Sequence, residues 1–233
     1  MVQCSADRKQ SLVDRISFLP TDILIQQLLP LLTLKEAAAT SILSKQWTGL
    51  WMYRARLDLD GHNILQKQSD LITTSAWYVD WVNELVKVQK APVIDEFRVC
   101  FELDKTFQED IDKWIAYALS KRVQTLELDF LRSCMEKEFD GLIASLVFNV
   151  HYCALVSLKI HKFFHMVLNV VLENNPMLVD VSVVGWLVRH IPPLLSSCLS
   201  RLEVLAIHVR SRDVREEKDL VQVPQLSSLK QLH

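Results

Sequence analysis

VQTLEL (123–128), LVSLKI (155–160), LVDVSV (178–183) and LEVLAI (202–207) share one template: an apolar residue, then two more, three and five positions on. Their starts lie 32, 23 and 24 residues apart, and a weaker fifth copy, Leu226-x-x-Leu229 with Gln231 in the third slot, follows after another 24. Ile94-x-x-Phe97-x-Val99 reads as an earlier, divergent copy 29 residues before Val123. Alternation of this kind specifies short strands that bury one face. A single copy cannot cover its own apolar side, so neighbours must stack. Steps of 23 and 24 residues fall within the period of leucine-rich repeats. An ordinary α/β domain with strands at similar spacing is the competing reading. By the template, Thr125, Glu127, Asp129, Ser157, Lys159, His161, Asp180, Ser182, Val184, Val204, Ala206 and His208 point away from the core, along the concave face of the sheet. Mixed in charge and mostly small or polar, they suit a protein or peptide ligand.

Upstream of the repeats the periodicity is helical. Thr106-Phe-Gln-Glu109 reads as a capping box opening a helix with Ile111, Trp114, Ile115, Ala118 and Leu119 inward. A longer helix over 75–89 places Trp77, Trp81, Leu85 and Val88 on one face and closes at Pro92. Residues 52–69 read as a connector. Between Asp14 and Trp51 the chain predicts three short helices. Pro20 suits the first turn of one and Pro30 its end, Thr33 and Glu36 form a capping box for the second, and Lys45, Trp47, Leu50 and Trp51 lie on the third. Residues 1–13 are polar and read as disordered.

Composition bounds the function. The 233 residues are half apolar, enough for a sizeable core, and 26 basic against 28 acidic residues leave no global field for nucleic acid or anionic lipid. Four glycines leave little for phosphate-cradling loops, and no nucleotide-binding fingerprint or nucleophile elbow occurs. The five cysteines are scattered and unpaired in sequence, which reads as buried thiols in a reducing compartment. No signal peptide or membrane-length apolar run is visible, so a soluble protein, cytoplasmic and/or nuclear, is expected. His161-x-x-x-His165 near Cys153 has half of a zinc spacing but no paired cysteines, so no metal and no cofactor are expected. Arg210, Arg212, Arg215 and Lys218 interleave with Asp213, Glu216, Glu217 and Asp219 and read as a solvated, ion-paired loop.

DRISFLPTDIL (14–24) and TSILSKQWTGLW (40–51) resemble the F-box of plant F-box/leucine-rich-repeat proteins, including those with a C-terminal FBD domain. That family opens on D-R-I-S-x-L-P-x-x-I-L and closes on T-S-x-L-S-K-x-W-x-x-L-W. Two departures are Thr33 where the family commonly has Pro, and Pro30 where it has a small polar residue. The resemblance implies an α/β chain with a three-helix F-box at 14–57, a linker and helix at 58–93, and a short irregular leucine-rich-repeat solenoid at 94–233, cut short of any FBD segment. It implies a non-catalytic adaptor of a Skp–cullin–F-box ubiquitin ligase, holding a Skp-type linker, and through it cullin, at one end and a target protein at the other. Leu19, Pro20, Ile23, Leu24, Leu28, Leu34, Ala38, Ser41, Leu43, Ser44, Lys45, Trp47, Leu50 and Trp51 would supply the linker contact. Glu127, Asp129, Lys159, His161, Asp180, Ser182 and His208 would face the target. The competing functional reading is a repeat scaffold that engages no ligase.

Overall fold

The computed structural model describes residues 16, 18–61, 71–103, 105–130, 146–151, 154–161, 168–173, 176–184, 201–208 and 230–232. It divides after Trp51 into two compact units. Residues 1–13, His165 and the charged run at 210–219 lie outside the described residues.

The N-terminal unit is helical. Pro20 sits extended just ahead of α1 (Thr21–Ile23), and the same run widens to a π-type turn at Leu24–Leu28 and tightens to a 3-10 turn at Leu29–Leu31. Pro30 is therefore inside the run, in the opening positions of its closing 3-10 turn, and the run ends one residue later. α2 (Leu34–Ala39) opens on the expected capping box: Thr33 Oγ1 accepts the Glu36 N–H at 3.2 Å, and Glu36 Oε2 accepts the Thr33 N–H at 2.8 Å. A 3-10 turn continues it over Thr40–Ile42. The expected third helix is instead a chain of turns from 45 to 49 followed by a 3-10 turn at Leu50–Tyr53. Gly49, at φ 76°, supplies the left-handed residue that this path needs. Leu24, Leu29, Ala37, Trp47 and Leu50 form the core, and Gln46 Nε2 donates to the Leu19 carbonyl at 2.8 Å to pin the entering chain.

The second unit is mixed α/β, built on a seven-stranded parallel sheet in the order β1-β2-β3-β5-β7-β8-β9. The strands are β1 (Arg56–Asp60), β2 (Glu96–Cys100), β3 (Thr125–Asp129), β5 (Ser157–His161), β7 (Asp180–Val184), β8 (Val204–His208) and β9 (Gln231–Leu232). Helix α3 (Leu71–Val88) fills the first connection and α4 (Gln108–Ser120) the second. The next two connections carry β4 (Leu146–His151) and β6 (Leu168–Glu173), which pair with each other in parallel.

Register fixes the template in space. Leu57, Phe97, Leu126, Leu158, Val181, Leu205 and Leu232 align across the sheet, as do Leu59, Val99, Leu128, Ile160, Val183 and Ile207. The leading apolar slots Ile94, Val123, Leu155, Leu178 and Leu202 are fully buried. The backbone repeats as well. The carbonyls of Ala55, Asp95, Gln124, Val156 and Val179, each just ahead of a strand, accept two N–H groups from the start of the next repeat at 2.7–3.3 Å. These polar groups are thus satisfied without any helix or hairpin at the crossing.

Several expectations shift. Arg56–Asp60, assigned by sequence to the F-box and connector, is the first strand of the sheet. The apolar residue expected in its leading slot is replaced by buried Arg54, which hid the repeat. In the last copy Leu232, paired with Leu205, takes the slot expected of Leu229, three residues later; Leu226 and Leu229 lie outside the described residues. The 75–89 helix buries Thr74, Ser75, Tyr78, Val79, Val82 and Leu85, whereas Trp77 and Val88 are exposed, so its inward face is rotated from the predicted one. Trp77 instead stacks on half-buried Trp81, ring centroids 6.4 Å apart. The second capping box does not form. A 3-10 turn (Lys105–Phe107) precedes α4, and Phe107 takes the cap position without a side-chain cap bond. The core face of α4 is as predicted at Ile111, Trp114, Ile115 and Ala118, with Leu119 half-buried.

Polar side chains lock the helices to the sheet. Tyr78 Oη donates to the Leu59 carbonyl at 2.6 Å, and its ring stacks on Phe101 at 4.5 Å. Asn83 joins the helices, donating to Asp110 at 3.1 Å and accepting from Trp114 Nε1 at 2.7 Å. Buried Gln89 donates to the Arg54 carbonyl and accepts from the Lys90 and Ala91 N–H groups, which satisfies the chain where it leaves α3. Among the described residues no helix is long and apolar enough to cross a membrane.

Candidate partner-binding surfaces

The first surface follows from what the N-terminal unit cannot bury. Its core is five residues deep, and the sequence supplies more large apolar side chains than that. The excess is on the outside: Phe18, Leu31, Ile42 and Leu43 are 79, 80, 87 and 63% exposed, and Ile16 is exposed too. Such density of exposed apolar groups in about thirty residues is a mark of interaction surface.

The fourteen residues expected at a linker contact separate into three groups. Pro20, Leu43 and Lys45 are exposed. Leu19, Ile23, Leu28, Leu34, Ala38, Ser41, Ser44 and Trp51 are half-buried and present only part of their surface. Leu24, Trp47 and Leu50 are the core itself, so their motif positions reflect folding of this unit and not an outer ridge. Ser44 Oγ is enclosed without a hydrogen-bond partner. Sequence reasoning passed over Phe18, Leu31 and Ile42.

The second surface is the outward face of the sheet. Thr125, Glu127, Asp129, Ser157, Lys159, His161, Asp180, Ser182, Val204 and Ala206 are all half-buried and alternate with core residues, as expected. Val184 and His208 occupy the matching register positions, opposite one another on β7 and β8, and their side chains lie outside what is described. Register sorts this face into rows across the strands. One row alternates in charge: Asp58, Arg98, Glu127, Lys159. Arg98 ties it together, its Nε donating to Glu127 at 2.8 Å and its Nη1 to Asp58 at 2.9 Å, with Asp60 at 3.8 Å. Partial burial pulls against the guanidinium's charge, but the bonds to Glu127 and Asp58 outweigh it and hold its pKa above the ordinary value. The next row runs Asp60, Cys100, Asp129, His161. Burial, assisted by the Asp129 carboxylate 3.8 Å away, pushes the Cys100 thiol up to about 12, so it stays protonated and is no nucleophile at neutral pH. On β5 and β7, Ser157 Oγ donates to Asp180 at 2.8 Å.

An F-box/FBD/LRR-repeat protein of Arabidopsis thaliana is 31% identical over 219 residues, 93% of this chain and 46% of that relative. A second protein of that description from the same plant is 30% identical over 221 residues, 93% of this chain and 45% of its own. An Arabidopsis FBD-associated F-box protein is 37% identical over 124 residues, 52% of this chain and 26% of that relative. No family model matches the chain, and no solved structure does. Over nearly its whole length the chain is similar to plant F-box/leucine-rich-repeat proteins. It spans less than half the length of these curated relatives.

Proposed function

We propose that the N-terminal unit is an F-box, that the strand array is a short irregular leucine-rich-repeat solenoid, and that the chain is a substrate-recognition adaptor of a Skp–cullin–F-box ubiquitin ligase. In this reading the F-box holds a Skp-type linker, and cullin through it, while the outward sheet face holds a target protein. The chain performs no bond chemistry; it raises the target's concentration beside subunits that transfer ubiquitin. Such an adaptor works in the cytoplasm and/or nucleus. Neither nucleic acid nor a membrane enters the reading.

The observation that carries it is the set of large apolar side chains left outside the core between Ile16 and Leu43, in the segment that resembles an F-box. Burying a large apolar side chain at an interface contributes roughly 1.5–3 kcal/mol before association costs. The deciding experiment is co-purification of the full chain with a plant Skp-type linker under native conditions. Stoichiometric capture supports the adaptor. Failure of the wild-type chain to capture the linker favours the scaffold without ligase engagement.

A further inference from the structure

One row of the sheet gathers side chains of metal-binding chemistry that the sequence keeps far apart. Register sets Asp60, Cys100, Asp129 and His161 side by side on β1, β2, β3 and β5, with Glu127 two residues from Asp129 on the same face. Glu127, Asp129 and His161 each turn a ligand atom toward a common point, and those atoms all lie within 4.8 Å of one another. His161 Nδ1 is the imidazole atom on the carboxylate side, 3.9 Å from Asp129 Oδ2. From these contacts we infer that Glu127, Asp129 and His161 form a binding site for a divalent transition-metal ion, zinc being the best match to two carboxylates and an imidazole.

The geometry is close to what the ion requires. Ligand atoms around a tetrahedral zinc, at ~2.0–2.1 Å from the metal, stand about 3.3 Å from each other. The ligand atoms already lie within 4.8 Å of one another, and Asp129 and His161 are direct partners on hydrogen-bonded strands. Arg98 contributes by orientation: its Nε donates to Glu127 Oε1 at 2.8 Å, which restrains the carboxylate. Both carboxylates are half-buried, where attraction to a doubly charged ion is less screened than in open water. Three protein ligands leave a coordination position open, as in zinc sites that bind an exogenous group. Cys100 lies at the rim of this set and is outside it, since the metal atoms would be carboxylate oxygens and imidazole nitrogen.

Metal uptake needs no partner, so the inference stands or falls apart from the adaptor reading. The test is calorimetric titration of the metal-free full chain with zinc, with cobalt(II) absorption as the second readout. We expect one equivalent bound at about 10 µM or tighter, weakened about tenfold or more by His161→Ala and by Glu127→Gln, with both metal-free variants still melting cooperatively. Cys100→Ser leaves affinity within about twofold, and the cobalt adduct lacks a thiolate-to-metal charge-transfer band. Absence of saturable uptake overturns the site. So does uptake that His161→Ala leaves intact, which places the ion elsewhere on the chain, or a thiolate band, which puts a cysteine in the ligand set.

Discussion

Truncating Ile42 and Leu43 together to alanine separates docking from folding in the N-terminal unit. Both side chains are mostly in solvent, Ile42 at 87% and Leu43 at 63%, so the free protein loses almost no packing when they are cut back. At an interface each full burial is worth roughly 1.5–3 kcal/mol, and truncation to alanine removes about two-thirds of that area, or ~1–2 kcal/mol per residue. The pair then costs about 3 kcal/mol of linker affinity, on the order of a hundredfold in Kd. Leu24→Ala is the counterpart. Leu24 is fully buried, and emptying such a site costs about 2–5 kcal/mol of stability. The measurement is calorimetric affinity for a purified Skp-type linker alongside the thermal midpoint of each free variant. The expected pattern is Ile42→Ala/Leu43→Ala weak in binding and wild-type in melting, with Leu24→Ala the reverse in kind, its binding loss tracking its unfolded fraction. If the exposed pair leaves affinity within about twofold, the apolar exterior is not the docking surface and the argument from excess hydrophobes fails.

Three further outcomes follow from local geometry. Gly61→Ala places a Cβ against Phe101 and 2.7–2.8 Å from the Tyr78 ring, which its bond to Leu59 keeps from swinging aside; thermal melting should show a loss of about 1–3 kcal/mol, read as a drop of several degrees. Thr33→Ala removes the cap of a six-residue helix, and chemical denaturation should report a loss of ~1 kcal/mol. The Thr33 bonds, the backbone N–H first and the hydroxyl second, also hold the Glu36 carboxyl below its ordinary pKa, so wild-type stabilisation from this pair is present above the ordinary carboxylate range and fades as pH falls through the lowered value; Thr33→Ala removes only the hydroxyl's share and should shrink that fade without abolishing it. Cys100 titrates the other way. With its folded pKa at about 12 and an unfolded thiol near ~8.5, its contribution is full below the unfolded value and lost as pH climbs through the folded one; iodoacetamide mapping at pH 8 should find Cys100 unmodified in the native chain and labelled once denatured.

The repeats were legible because their signal is redundant: β2, β3 and β5 each bury two alternating apolar residues behind a leading one, and register aligns the same slots from β2 to β8. Thr33 and Glu36 were legible because a capping box is a contact three residues long. The misses share another cause. Arg54 concealed the first strand because a residue usually solvated takes an apolar slot, its guanidinium pKa lowered by burial. Trp77 drew the α3 face outward because size and hydropathy cannot tell a surface indole stack from a core one, whereas Tyr78, with its hydroxyl satisfied by Leu59, holds the interior. In the N-terminal unit the motif positions were clear and their division between core and exterior was not. Leu24, Trp47 and Leu50 meet only when the turns of 45–49 close, and Gly49's left-handed backbone that closes them carries no hydrophobic signal. The Glu127–Asp129–His161 gathering was invisible for a similar reason: its members come together across a strand pairing and not along the chain.

The paired N–H acceptance by the carbonyls of Ala55, Asp95, Gln124, Val156 and Val179 has a consequence for how such a chain changes over generations. Successive strands begin 40, 29, 32, 23, 24 and 27 residues apart (56, 96, 125, 157, 180, 204, 231), yet every one that is described to its end aligns without slippage. The anchoring is done at the doorway of each strand, so whatever lies between doorways, helix or strand, is free to grow or shrink. A lineage can therefore rewrite the back of the molecule wholesale while the spacing of the side chains on its front stays the same to within a residue.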